Sequence, residues 1–388
     1  MNYDNIISRV ARDIPPSGIR KFFDILSDMD DAISLGVGEP DYQTPWHIRE
    51  TGIWSLTKGF TKYTSNSGLI ELRREICRYQ RRRFGLDYDW EHETLVTVGG
   101  SEAIDLTIRT LCNPGDEVII HEPSFVCYKP IAQLAGAVPV VIDTKADNNF
   151  RITADELRAA ITPRTKLLVL SYPNNPTGAI MERADLEALA EVLRGTDICV
   201  VSDEIYAELT YNGKTHVSIA SVDGMRERTV VVGGFSKAYS MTGWRMGYAL
   251  APAEIISQMT KIHQYAIMCA PTTSQYAGIE ALREGDIDIE RMRDDYEGRR
   301  RVIINGFREL GLECFEAEGA FYCFPCIKST GLSSEEFAER LLLSEKVAAV
   351  PGGAFGKSGE GFLRCCYAAS MQDIEEALER IGRFLKTL

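Results

Sequence analysis

Between Thr94 and Gly247, short β-branched runs alternate with stretches of helical periodicity. This alternation limits the fold more than any other feature of the 388-residue chain. Strands are predicted at 94–98, 118–121, 138–142, 166–171, 198–202 and 229–232. The helical stretches between them include 153–161, which opens on a Thr153/Glu156 capping box. Parallel neighbours need a long crossover, and a crossover helix covers one face of the sheet. The expected fold is therefore α/β, a mostly parallel sheet sandwiched by helices. In such sheets ligands bind beyond the carboxyl ends of the strands.

After Pro252 the rhythm changes. Helical periodicity runs to about Arg283 and again over 288–310. The tail then reads as strands at 313–316, 321–327, 347–350 and 362–368, with helices from near Ser333 and from Met371. This points to a second, smaller α+β unit. The expected division is 46–285 for a large cofactor-binding domain, and 1–45 with 286–388 for a small domain with the N-terminal segment.

Composition removes several function classes. With 43 Lys+Arg against 56 Asp+Glu, the net charge of −13 argues against nucleic acid as a partner. Apolar runs are far shorter than a membrane span, and the first twenty residues do not resemble a signal peptide. The ten cysteines are scattered, several of them (Cys112, Cys199, Cys269) in apolar stretches, as expected of reduced thiols in a cytoplasmic protein. Cys323 and Cys326 form a C-x-x-C without a second pair at zinc spacing, and no histidines pair at i, i+4, so no metal site is expected.

The chemistry collects at strand ends. Gly99-Gly100-Ser101-Glu102 follows the first predicted strand and starts a helix, which offers backbone N–H groups and a hydroxyl to a phosphate. Asn174-Asn175-Pro176-Thr177-Gly178 follows 166–171, and Asp203-Glu204-Ile205-Tyr206 follows 198–202. Lys237 sits in the turn Gly233-Gly234-Phe235-Ser236-Lys237 after 229–232, with Arg245 eight residues later. An amine presented by a tight turn, with a fixed cation nearby, suits a phosphorylated aldehyde bound as a Schiff base. A buried carboxylate such as Asp203 would keep a pyridine nitrogen protonated. Tyr206 and Asn175 are candidate donors to the ring's phenolate oxygen, and Phe125 a candidate stacking partner. Arg364, flanked by apolar residues, is costly to bury without an anion and suits an α-carboxylate. Each cluster also has an ordinary reading, as a turn, a helix cap or a core aromatic.

Taken together the chain resembles the pyridoxal-phosphate-dependent aminotransferases of class I/II, the aspartate aminotransferase-like enzymes of fold type I. The likeness runs from Leu35-Gly36-Val37-Gly38-Glu39-Pro40-Asp41 through Tyr63-Thr64-Ser65-Asn66-Ser67-Gly68 and the clusters above to Gly319-Ala320-Phe321-Tyr322 and Arg364. The segments Ser17-Gly18-Ile19-Arg20-Lys21-Phe22 and His263-Gln264-Tyr265 look most like the N-acetyl-diaminopimelate aminotransferase branch.

The resemblance implies transfer of an amino group from an L-amino acid to a 2-oxo acid by a ping-pong route. It makes Lys237 the Schiff-base lysine, Arg245 the phosphate arginine and Asp203 the pyridinium partner. Tyr206 and Asn175 stand at the ring oxygen and Phe125 on the ring face, while Ser101, Glu102 and Ser236 complete the cofactor-contacting set. Gly38, Asn175 and Arg364 are the expected substrate contacts. Tyr63 is expected at the phosphate of a neighbouring subunit, which implies a homodimer. Gly234 stands where many members carry a phosphate-binding serine. Apart from the resemblance, Arg20 and Lys21 are candidates for recognising a distal carboxylate, with ordinary exposed surface charge as the other reading. The alternative function is a carbon–sulfur β-lyase of the cystathionine type, which shares the lysine, the aspartate and the arginine.

Overall fold

The computed structural model describes residues 1, 3–16, 18 and 31–388. The segment carrying Arg20 and Lys21 therefore lies outside the described residues. The strands are β1 (Ile33–Ser34), β2 (Thr94–Thr97), β3 (Glu117–Glu122), β4 (Val138–Asp143), β5 (Thr165–Ser171), β6 (Cys199–Asp203) and β7 (Thr229–Gly234). They continue with β8 (Gly247–Leu250), β9 (Tyr322–Cys323), β10 (Val347–Ala348), β11 (Val350–Pro351) and β12 (Leu363–Cys366). A seven-stranded sheet takes the order β2-β8-β7-β6-β5-β3-β4. Its neighbours pair in parallel except around β8, which runs antiparallel to both β7 and β2.

The six strands expected between Thr94 and Val232 all form, with ends within two residues of the expectation. The sequence reading missed β8. It follows the Gly-rich lysine turn with no α-helix between, only the short 3-10 turn Thr242–Trp244, so the strand–helix alternation that marked the others is absent. Successive residues of the central strands alternate between two cores, as the pleat requires. Leu167 and Val169 pack with Ile104, Ile108 and Met259 on one face. Leu168 and Leu170 pack with Leu186, Leu189 and Leu193 on the other. Thr153 caps the helix Ala154–Ala160 as its sequence predicts: its hydroxyl accepts from Glu156 N at 3.2 Å, and the Glu156 carboxylate accepts from Thr153 N at 2.9 Å.

The tail is less regular than its pattern implies. The expected strand at 313–316 is reduced to a single bridge between Cys314 and Pro325. The expected strand at 321–327 is interrupted at Phe324: β9 covers its start, and Pro325 and Cys326 make only isolated bridges, to Cys314 and Phe362. β9 joins β12 and β11 in a three-stranded sheet, while β1 pairs with β10. The helix predicted at 288–310 spans Asp286–Glu309, 24 residues. Its first turns place Ile289 in the core that holds Phe235 and Met246. Its last turns place Ile303, Ile304 and Phe307 in the core of the tail.

Candidate active site

A cavity of about 600 Å³ opens beyond the carboxyl ends of β5, β6 and β7. Gly38, Ser101, Phe125, Asn175, Asp203, Tyr206, Ser236, Lys237, Arg245 and Arg364 all line it. Residues spread over more than three hundred positions of sequence thus meet at one place, at the sheet edge where the strand-end clusters were expected.

Lys237 leaves the β7–β8 connection and donates from Nζ to the Gly38 carbonyl at 2.7 Å. Burial is the main cause that lowers its pKa to about 8, with the Arg364 and Arg245 cations adding to the effect. Asp203 closes β6. Burial raises its pKa to about 6, while hydrogen bonds from the Tyr128 phenol and the Ile205 N–H oppose the rise. Those donors lie 2.7 Å from Oδ2 and 3.3 Å from Oδ1. Tyr128 also lines the cavity, and its ring meets Phe125 edge to face. Nothing in the single sequence set Tyr128 apart from an ordinary aromatic at the start of a helix.

Arg364, on β12, is 2 % exposed. It donates to Asn175 Oδ1 at 3.1 Å and to the Gly36 carbonyl at 2.5 Å, and its guanidinium lies between the rings of Tyr322 and Phe355. Both hydrogen-bond acceptors are neutral, and the buried Nε has no hydrogen-bond partner among the described residues. A buried guanidinium held without a carboxylate is a preformed anion site. The Tyr206 hydroxyl is 2.8 Å from that of Tyr322, at the same wall.

The third cation, Arg245, lies against the start of the helix Gly100–Leu111. Gly99 caps this helix at φ +76°, and a Cβ there would come within 2.7 Å of Arg245 Nη2. Only glycine permits both the backbone and the approach. Gly100, Ser101 and Ser236 line the adjoining cavity wall. A helix N-terminus, hydroxyls and an arginine form a cup for a phosphate.

Gly234, the departure from the family pattern, has a packing reason. A Cβ there would meet Ile205 Cδ1 at 2.7 Å, so the space of a larger residue is filled from β6's end. Neither Glu102 nor Tyr63, the latter expected at a neighbouring subunit's phosphate, lines this cavity. The Glu102 carboxylate turns back to the Val98 N–H and to His263. Tyr63 is 80 % exposed on the outer surface.

The donor set fits pyridoxal phosphate: a half-buried amine for the aldehyde, a buried carboxylate for the ring nitrogen, and a cationic cup at a helix start. These features define a fold-type I aminotransferase. The sequence profile described as Aminotransferase class I and II matches residues 30–381, and the chain belongs to that family. Its members depend on pyridoxal phosphate and act on amino acids and 2-oxo acids, and this chain is such an enzyme.

The chain is 52 % identical over 379 residues to the putative aminotransferase YugH of Bacillus subtilis, covering 98 % of each chain. It is 41 % identical to the probable N-acetyl-LL-diaminopimelate aminotransferase of the same organism, covering 98 % of this chain and 96 % of that one. The aromatic aminotransferase structure from Pyrococcus horikoshii superposes with a TM-score of 0.90 at 42 % identity, over 94 % of this chain and 99 % of that one. These names support transamination and give no support to the β-lyase alternative.

Proposed function

We propose that this chain transfers amino groups with Lys237 as the proton carrier, Asp203 as the partner of the cofactor's ring nitrogen and Arg364 as the α-carboxylate anchor. One observation carries the assignment: the half-buried amine, the buried carboxylate and the buried guanidinium all face one cavity. Pyridoxal phosphate, when bound, supplies an aldehyde that condenses with amines and a ring that accepts the electron pair left by the Cα–H bond. Lys237, poorly solvated and beside two cations, carries an amine that can be neutral near physiological pH and so take up a proton from Cα and return it. Arg364 orients the substrate through its carboxylate, with Asn175 fixing the guanidinium. Arg245, Ser101, Ser236 and the start of the helix Gly100–Leu111 hold the phosphate, and Phe125 covers the ring.

Homodimerisation is part of the proposal. Trp46, Ile53, Trp54, Leu56, Tyr63, Tyr265, Ile267 and Met268 are exposed, and Asn66 Nδ2 ties the Tyr63 loop to the Met268 carbonyl at 2.8 Å. An exposed apolar face of this kind fits a second copy, with Tyr63 reaching the neighbouring phosphate. The division into 46–285 and 1–45 with 286–388 stands with it. Among the described residues no helix is long and apolar enough to cross a membrane. A cytoplasmic location is the reading we attach to the reduced cysteines.

The test is a half-reaction. Cofactor-loaded protein mixed with a panel of amino acids, without an acceptor, should lose its long-wavelength cofactor absorbance and release one equivalent of 2-oxo acid. Arg364→Ala should raise the half-saturating amino-acid concentration by ten- to a hundredfold, in keeping with loss of a charge-assisted, bidentate contact worth roughly 1.5–3 kcal/mol. Ammonia released with the oxo acid, or an unchanged half-saturation in the variant, would overturn the respective assignment.

A further inference from the structure

Glu102 presents a problem that its surroundings solve. It is the third residue of the helix whose start forms the phosphate cup. A carboxylate in a first helical turn is ordinarily favourable. Here it shares that turn with the expected phosphate, and two anions so close repel strongly where water is scarce. The carboxylate is largely buried, at 11 % exposure, so solvent does little to screen it.

The structure turns the carboxylate the other way. Oε2 accepts from the Val98 N–H at 2.5 Å, and Oε1 lies 2.6 Å from Nδ1 of His263. With an acidic partner, Nδ1 carries the proton and donates it. The His263 ring is fully buried, and its Nε2 has no hydrogen-bond partner among the described residues, so the Nδ1 contact is the ring's one hydrogen bond among them. The ring comes from the last turn of the helix Ala253–Ala266, whose end is fixed by Ile267 and Met268 N–H groups donating to the His263 carbonyl at 2.8 and 3.0 Å. Gly100 and Ser101 remain at the cavity wall, while Glu102 does not.

We propose that Glu102 and His263 are a positioning pair: His263 holds the carboxylate away from the phosphate cup and so tunes the cup's affinity for the cofactor's phosphate. This rests on the pyridoxal phosphate reading above and adds a residue, His263, that touches neither cofactor nor substrate. Its signature is selectivity for the charged end of the ligand. Loss of the histidine should weaken pyridoxal phosphate and leave pyridoxal, which has no phosphate, unaffected.

The experiment is equilibrium titration of cofactor-free protein with each of the two ligands. For His263→Phe, the Kd for pyridoxal phosphate should rise at least tenfold with pyridoxal within twofold of wild type. His263→Asn, whose amide can donate near the Nδ1 position, should stay within about threefold. Adding Glu102→Gln to His263→Phe should recover most of the loss, because the repelling charge is gone. Equal weakening of both ligands, no change, or no recovery in the double variant would each overturn the proposal. If His263→Phe does not fold, Glu102→Gln alone decides: pyridoxal phosphate bound as tightly as by wild type or more so supports the pair, and selective weakening overturns it. Wild-type protein that takes up no pyridoxal phosphate sinks the earlier reading instead, so the two failures are distinguishable.

Discussion

Lys237→Ala is expected to abolish the cofactor's absorbance band at long wavelength and to cut transamination on the order of 10⁴-fold or more, since one group supplies both attachment and proton transfer. The amine sits where its replacement is difficult. It is half-buried, it points at the Gly38 carbonyl, and the other cavity cations, Arg245 and Arg364, have assignments of their own. The same environment predicts the pH dependence of cofactor uptake. With the Lys237 pKa lowered to about 8, raising the pH through that value frees the amine for attack on the aldehyde. Uptake should therefore quicken from pH 7 to about 8.5 and then level off. A band retained in Lys237→Ala, or an uptake rate still climbing as an ordinary lysine would require near pH 10, would remove Lys237 from the role.

The second large effect belongs to Asp203. Asp203→Ala should keep a good part of the cofactor affinity, because the phosphate cup is untouched, yet lower turnover by at least a hundredfold. The carboxylate's value lies in its charge beside the ring nitrogen. At pH 7.5, above its raised pKa of about 6, it is mostly ionised even before a cationic ring adds its own pull. Asp203→Asn tests this further: it preserves shape, removes the charge and should remain nearly as impaired. Turnover within tenfold of wild type in either variant, measured in the single half-reaction, would argue that the ring is held protonated by something else.

How much of this could be read from the chain depended on what each feature required. Strands β3, β5, β6 and β7 were legible because buried central strands need continuous apolar runs between helical segments, and the edge strands β2 and β4 because β-branched residues mark them. Asp203, Asn175 and Lys237 were legible because they directly follow such runs, where the sheet geometry gathers them. β8 was not, since it returns without an α-helix. Glu102 was placed at the cofactor from its position in the motif alone. Its orientation depends on His263, 161 residues away, and no local pattern reports such a contact. Tyr128 was missed for the same reason, because its partner Asp203 lies 75 residues on. Gly234 was visible as a departure, whereas its cause, the Ile205 side chain, appears only in three dimensions.

The helix Asp286–Glu309 has a consequence for how the protein melts. At 24 residues it is about 36 Å long; Ile289 in its first turn belongs to one hydrophobic core, and Met292, Tyr296, Ile303, Ile304 and Phe307 belong to another. Its start is also held by the Asp288 contact with His47 at 3.0 Å, and its middle by Tyr296 bonding Asp41 at 3.2 Å. The cores cannot separate while this rod stays intact without exposing either Ile289 at its start or the apolar stripe from Met292 to Phe307. The cofactor-free protein should therefore unfold as one cooperative body, with calorimetric and van't Hoff enthalpies in agreement. Two separated heat-absorption peaks would show instead that the rod breaks partway along.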